Sequence, residues 1–221
     1  MNIDKKYYQE INENLTNTIQ DTNISAPNKK VGKVRDAYFL NDKVVMISTD
    51  RQSAFDRVLA AIPYKGAVLN SVSAWWFKKT EHLFPNHLIS TPDPNVSIVE
   101  KCTVFPVEFV VRGYITGTTD TSLWTVYNNG DREYCGNSLP EGLKKNDKLD
   151  KPMLTPTTKD KVHDRPVSRE EIIDLGLMSA EDYDLAAKMS LDLFAFGQET
   201  AKKNGLILVD TKYEIGTDSK G

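Results

Sequence analysis

The stretch VGKVRDAYFL, the turn pair Asn41-Asp42 and the following KVVMIS alternate apolar and polar residues with a period of two from Val31 onward. Side chains on a strand alternate faces, so this pattern predicts a hairpin and an early start to a sheet. Two further strands are predicted, from Ile98 to Val104 and from Val107 to Ile115. Helical spacing occurs around Tyr7, Ile11 and Leu15, which then relaxes into the polar linker Asp21 to Asn28. A second helix is expected after Gly66, with Leu69, Val72 and Trp76 on one face. Pro85, Pro92 and Pro94 predict turns beyond it. Ser179 opens a third helix, with Asp182 as its capping-box partner, an apolar face of Leu185, Met189, Leu193 and Phe196, and Lys202, Lys203 and Gly205 at its close. Strands followed by helices, without regular alternation, define an α+β class.

A chain of 221 residues with 39% hydrophobic content can bury a core in one domain or two small lobes. Its formal net charge of -3 comes from 28 basic and 31 acidic residues spread along the chain. That balance gives neither a nucleic-acid track nor a patch for an anionic membrane, so an anion must be met locally. Two cysteines, Cys102 and Cys135, are too few for a disulfide framework or a zinc site and predict a reducing compartment. No apolar run reaches the roughly 18 residues of a membrane span, and the polar start MNIDKKYYQE is unlike a signal peptide. The expected location is the cytoplasm.

The segment LILVDTKYEIG, Leu206 to Gly216, begins as an apolar strand and then places Asp210, Lys212 and Glu214 on one face, with Thr211, Tyr213 and Ile215 on the other. Successive same-face residues stand roughly 6.5 to 7 Å apart, a spacing at which a carboxylate can hold a cation while an ammonium touches the same polyphosphate. A strand leaving the core with solvated charges gives the same pattern. After Gly216 only the turn residues TDSKG remain, so the strand lacks a second hairpin arm and the chain is expected to be truncated at its C-terminal end.

Other stretches are equally two-sided when read alone. Gly32-Lys33-Val34-Arg35 offers a small residue and two positive charges, yet lacks the Walker A pattern and fits a solvated strand face. Asp50 to Asp56, DRQSAFD, follows a strand end and also fits a turn capped by Asp and Ser. Lys65-Gly66 introduces a helix, whose N-terminus favours anions. Arg112 and Thr118 bracket the glycine-spaced GYITG, able to fold around an anion or to leave the arginine in a structural ion pair. The irregular stretch from Leu139 to Pro166 includes His163, which fits a surface histidine, beside Lys159 and Asp164. Trp75 and Trp76 fit packing better than base stacking.

Six blocks in one order resemble a known family: GKVRD at 32–36, STDRQSAFDR at 48–57, IPYKG at 62–66, VVRGYITGT at 110–118, TPTTKDKVHD at 155–164 and LILVDTKYEIG at 206–216. Together they resemble the phosphoribosylaminoimidazole-succinocarboxamide synthase (SAICAR synthetase) family of purine biosynthesis. The resemblance implies a two-lobed α+β fold with ATP between an N-terminal lobe, 1–106, and a C-terminal lobe, 107–221. It also implies an ATP-dependent ligase joining L-aspartate to the carboxylate of a phosphoribosyl-aminoimidazole carboxylate (CAIR), with Mg²⁺. By the same resemblance Gly32, Lys33 and Arg35 meet ATP phosphates, and Val104 to Glu108 form the hinge at adenine. Asp50, Ser53, Asp56, Lys65, Arg112 and Thr118 face substrate, Lys212 follows the transferred phosphoryl group with Asp210 beside it, and Glu214 with Asp210 holds the metal. The family continues with a further acidic metal residue and an arginine-containing segment, neither of which follows here. A nucleotide-binding paralogue or fragment without ligase activity is the alternative expectation, whereas a protein kinase would need HRD and DFG elements. Small molecules are the expected partners, as a monomer or a homo-oligomer.

Overall fold

In a computed structural model the chain is described over residues 5–54, 57–159 and 164–219. It divides into two compact units, Met1–Cys102 and Thr103–Gly221. The expected boundary at 106 would fall inside a continuous strand that starts at Thr103.

The first unit runs α1 (Lys5–Glu13), β1 (Lys29–Val31), β2 (Arg35–Phe39), β3 (Lys43–Ser48), β4 (Arg51–Ala54), β5 (Arg57–Ala61), α2 (Lys65–Thr80), β6 (Leu88–Asp93) and β7 (Val96–Glu100). Five strands form an antiparallel sheet in the order β1-β2-β3-β7-β6, and β4 pairs with β5 separately. The β2–β3 hairpin is the one predicted, with Asp36 and Tyr38 buried on alternate positions of β2. VGKVRDAYFL is not one strand, however. The Gly32 N–H donates to the Arg35 carbonyl at 2.8 Å, which turns the chain at 32–34 and separates β1 from β2. The proline stretch is also more ordered than expected, because β6 is an edge strand, where a proline removes no needed donor. Helix α2 buries Gly66 and Asn70; of the predicted face Leu69 and Val72 are exposed and Trp76 is partly buried. A Cβ on Gly66 would collide with the Ser48 carbonyl, so glycine sets the close approach of helix to sheet. Asn70 then ties the helix to the Pro94 carbonyl and the Ser97 hydroxyl.

The second unit runs β8 (Thr103–Tyr114), α3 (Leu123–Asn128), β9 (Glu133–Tyr134), β10 (Asn137–Ser138), β11 (Lys148–Leu154), β12 (Thr157–Thr158), α4 (Arg169–Asp174), α5 (Ala180–Lys203) and β13 (Asp210–Thr217). The strands predicted from Ile98 to Val104 and from Val107 to Ile115 are β7 and β8, with the break between them at 101–102 instead of 105–106, and β8 is the spine of the unit. It pairs antiparallel with β11 and β12 on one side and with β13 on the other. Val107 and Phe109 on its inward face pack with Val167, Ile172, Met178, Tyr183 and Ala186 in a buried core. Ser179 caps α5 as expected, accepting from the Asp182 N–H at 3.0 Å, and its hydroxyl donates to the Asp182 carboxylate at 2.7 Å. The buried face of α5 is Tyr183, Ala186, Ser190, Phe194 and Gly197, with Leu185 exposed. Of the predicted face Met189, Leu193 and Phe196 are partly buried beside this contact, where the aromatic rings of Tyr183 and Phe194 alternate with small residues. Leu206 and Ile207 are exposed and precede β13 instead of opening it, so only the charged half of LILVDTKYEIG is strand.

Candidate active site

Residues opposite one another in an antiparallel pair point to the same side of the sheet, and β13 pairs with β8 through Asp210–Arg112, Lys212–Val110 and Glu214–Glu108. The inward partners, Thr211–Val111 and Tyr213–Phe109, turn toward the core, where Tyr213 and Ile215 pack. The charges of β13 therefore share one sheet face with Glu108 and Arg112 of β8. On that face opposite charges interleave. Arg112 Nη1 lies 3.4 Å from the Asp210 carboxylate, and Arg112 Nε donates to the Thr155 hydroxyl at 3.0 Å. Lys212 Nζ donates to Glu108 Oε1 at 2.8 Å and stands 4.0 Å from Glu214. Lys159 Nζ reaches Glu214 Oε2 at 2.7 Å and Glu108 Oε1 at 3.9 Å.

Glu108 is 10% exposed at its side chain, whereas Lys212 and Glu214 are half exposed. Burial works against the charge on Lys212, but Glu108, helped by Glu214 and Asp164, outweighs it and raises its pKa. Burial likewise opposes the Glu214 carboxylate, and the hydrogen bond and charge of Lys159, with Lys212, hold it below the usual range. The face thus presents two ammoniums, a guanidinium and carboxylates, a set able to grip a polyphosphate or a carboxylate ligand. Asp210 and Glu214 are four residues apart on one strand, a separation of roughly 13 Å, too far to share one ion. The expected pairing of these two as metal ligands is corrected accordingly. Among the described residues no group of three or more His, Cys, Asp or Glu side chains is placed to hold a metal. Magnesium commonly takes one or two protein carboxylates together with substrate phosphates, so Glu214 alone fits it.

Other expected site residues are placed as follows. Val104 is half exposed on β8, opposite Gly216, where a Cβ would collide with the Thr103 carbonyl. Glu108 lies in mid-strand and holds lysines by its side chain, which departs from a hinge acting through backbone. Thr118 is exposed on the loop after β8. Asp164 is exposed, and His163 lies outside the described residues.

In the first unit Lys33 is exposed at the tip of the β1–β2 turn and Arg35 is exposed at the start of β2. The Gly32 N–H is engaged by Arg35, so the glycine offers a turn and no amide to phosphate. Asp50 is buried, and its carboxylate oxygens accept from the Ile19 N–H at 2.8 Å and the Gly66 N–H at 2.9 Å. It is a tie within the fold, and its expected substrate role is corrected on that ground. Lys65 Nζ donates to the Arg51 carbonyl at 3.0 Å, a second such tie. Ser53 is partly buried on β4, and Asp56 lies outside the described residues.

Sequence reasoning missed Arg51. Its guanidinium donates to the carbonyls of Gln20 at 2.6 Å, Gly32 at 2.9 Å and Lys33 at 3.2 Å, and to Asp36 Oδ1 at 2.7 Å. Asp36, fully buried, also accepts from Thr22 at 2.7 Å and faces Lys29 at 3.2 Å. The arginine thereby fixes the turn that carries Lys33. Periodicity gives no sign of such a hub, since its partners lie 15 to 31 residues away.

An α+β protein with interleaved acidic and basic side chains on one sheet face has a candidate site for a charged ligand, and comparison with known proteins narrows the class. The family described as SAICAR synthetase matches residues 28–221, and the chain belongs to it. It is 58% identical over 203 residues to phosphoribosylaminoimidazole-succinocarboxamide synthase of Legionella pneumophila strain Lens, covering 92% of this chain and 65% of that protein. With the chloroplastic synthase of Arabidopsis thaliana it shares 57% identity over 216 residues, covering 96% of this chain and 53% of that one. The chain thus spans about half to two thirds of the length of these relatives. Among solved structures, SAICAR synthase of Saccharomyces cerevisiae complexed with SAICAR superposes with a TM-score of 0.78 at 30% identity, covering 91% of this chain and 73% of that chain. A type-2 SAICAR synthetase in complex with ADP gives 0.72 at 26% identity, covering 88% and 77%.

Proposed function

We propose that this chain carries the ATP-dependent carbon–nitrogen ligase activity for which its relatives are named, condensing CAIR with L-aspartate to SAICAR, ADP and phosphate. The observation that carries this reading is the interleaved charged face of β8 and β13, which lies within the range matched by the family. A carboxylate is a poor electrophile, because attack by an amine would have to expel oxide. Transfer of the γ-phosphoryl group to CAIR's carboxylate gives an acyl phosphate; the aspartate amine attacks the acyl carbon, and phosphate leaves with the electron pair of the broken C–O bond. Such chemistry asks the protein for positioning and charge neutralisation.

Lys212 follows the transferred phosphoryl group, and Lys159, bound to the same carboxylates, meets neighbouring oxygens. Arg112 and Thr118 take the CAIR end, with Ser53 and Asp56 on the substrate side. Lys33 and Arg35 contact the ATP phosphates. Glu214 would hold Mg²⁺ against the triphosphate, where the ion neutralises charge. The small-molecule partners are ATP, CAIR and L-aspartate, and the setting is the cytoplasm, the reducing compartment expected of a chain with two cysteines.

A coupled ADP-release assay on the 221-residue chain, with CAIR and L-aspartate omitted in turn, tests the proposal. Release that requires both substrates is the expected result. Release indifferent to both omissions would mean simple ATP hydrolysis, and nucleotide binding without release would leave a nucleotide-binding protein devoid of ligase activity.

A further inference from the structure

Glu108 is a puzzle on structural grounds alone. It sits opposite Glu214 in the β8–β13 register, and like charges directly across a sheet destabilise the pair. Its neighbour across β12 is Thr157, which brings no compensating charge. A neutral residue would serve the sheet better. What the carboxylate does contact is a pair of ammoniums, Lys212 at 2.8 Å and Lys159 at 3.9 Å, both converging on Oε1. Lysine is a long, flexible side chain whose head is otherwise unrestrained on an open sheet face. A nearly buried acceptor on a central strand is rigid by comparison. An ammonium has three protons, and the bond to Glu108 uses one, so protons remain for an incoming anion.

We propose that Glu108 is a positioning residue for Lys212, holding its ammonium, together with that of Lys159, at a fixed place on the sheet face where phosphoryl oxygens are to be met. This rests on the ligase reading above and gives it a residue that acts through another. Among the described residues the charged groups around Lys212 are Glu108 on β8, Glu214 on its own strand, and Lys159 and Asp164 from the segment after β12. Of these Glu108 makes the short bond, so its removal is felt first by Lys212.

The experiment compares wild type, Glu108→Gln and Glu108→Asp in the full 221-residue chain labelled with ¹³C,¹⁵N-lysine. The Lys212 Nζ resonance is assigned by its loss in Lys212→Arg, the order of its side chain is read from Cε and Nζ relaxation at one pH, and binding of a non-hydrolysable β,γ-imido ATP analogue with magnesium is measured by calorimetry. In Glu108→Gln the Lys212 head is expected to become more mobile and the analogue to bind on the order of tenfold more weakly, with partial recovery of both in Glu108→Asp. Unchanged order of the Lys212 head in Glu108→Gln would overturn the positioning role whatever the affinity does. A more mobile head with wild-type affinity would show that Glu108 holds the lysine but not for nucleotide, which also overturns the proposal while leaving the ligase reading intact. Failure of the wild-type chain itself to bind the analogue would overturn the ligase reading, and with it the role assigned to Glu108.

Discussion

Each unit holds a cluster of interleaved charges, and the two clusters are built on opposite principles. In the first, Arg51 and Asp36 are buried, and the arginine's bonds are completed by main-chain carbonyls. In the second, Lys212 and Glu214 are half exposed and bond to side chains alone. A buried ion pair satisfied by backbone can only hold the chain in place, because exchanging a partner would strand a carbonyl or a charge in the interior. A half-exposed lattice of side chains can trade one partner for a ligand at small cost, since water already screens it. The first cluster shapes a turn, and the second is left able to react.

The largest expected effect breaks the first cluster. Arg51→Met removes the shorter of the two ion pairs of the buried Asp36, leaving it Lys29 and Thr22, and deprives the Gln20, Gly32 and Lys33 carbonyls of their donor, which costs about 3 kcal/mol of stability. Urea denaturation followed by fluorescence reads this directly. A loss no greater than that of an ordinary surface substitution would show that the buried network carries no load. Asp50→Ala, which removes the acceptor for the Ile19 and Gly66 amides, is next at about 1–3 kcal/mol by the same measurement.

Lys212→Met inverts the pattern. The lysine's head is half exposed, and Lys159 stays near the Glu108 carboxylate, so the substitution costs about 1–2 kcal/mol of stability, less than Arg51→Met. It nevertheless lowers ADP release in the presence of CAIR and L-aspartate on the order of 100-fold or more, if the ammonium neutralises the transferred phosphoryl group. Normal turnover by a folded Lys212→Met chain would remove the second cluster from the mechanism and leave it a solvated face.

The contrast explains what could be read from the chain beforehand. The period-two alternation of β2, β3 and β13 and the Ser179 cap are local, and local patterns locate elements. The composition of a helix does not say which face docks. Gly66 and Asn70 carry the seat of α2, and Tyr183, Ala186, Ser190, Phe194 and Gly197 that of α5, so apolar periodicity finds a stripe that is mostly exposed in α2 and only partly buried in α5. That Asp210, Lys212 and Glu214 share a face follows from one strand, but their partners come from a register no single strand contains. Lys212 and Glu108 are 104 residues apart. The family resemblance points to most of the residues that meet on that face, though not to Glu108 as the one that holds a lysine, nor to Arg51 as the anchor of the glycine turn.

The smallest effect separates the clusters by pH. Burial opposes the charge on Asp36, but Arg51, Thr22 and Lys29 outweigh it and its pKa is lowered; that of Glu214 is lowered as well. A carboxylate with a depressed folded pKa contributes stability above its ordinary titration range, and loses that contribution as pH falls through the folded value. Lys212 is raised, so its contribution is complete below its ordinary range near pH 10.4 and fades as pH rises through the folded value. Burial lowers the pKa of His87, so its contribution fades as pH falls below the ordinary histidine range; thermal stability is therefore expected to be flat from about pH 7 to pH 9 and to fall on the acid side, first through His87 and then through the carboxylates. Arg51→Met should flatten part of the acid limb, because Asp36 then loses the largest of the partners that lower its pKa and keeps Thr22 and Lys29. Glu214→Gln should alter it by only a few tenths of a kcal/mol, since half of that side chain is in water, and added salt should erase the difference. Melting curves for the three proteins from pH 3 to pH 9, at low and high salt, make the comparison. An acid limb more sensitive to Glu214→Gln than to Arg51→Met would reverse the assignment, because the exposed lattice would then be the structural cluster and the buried one the dispensable.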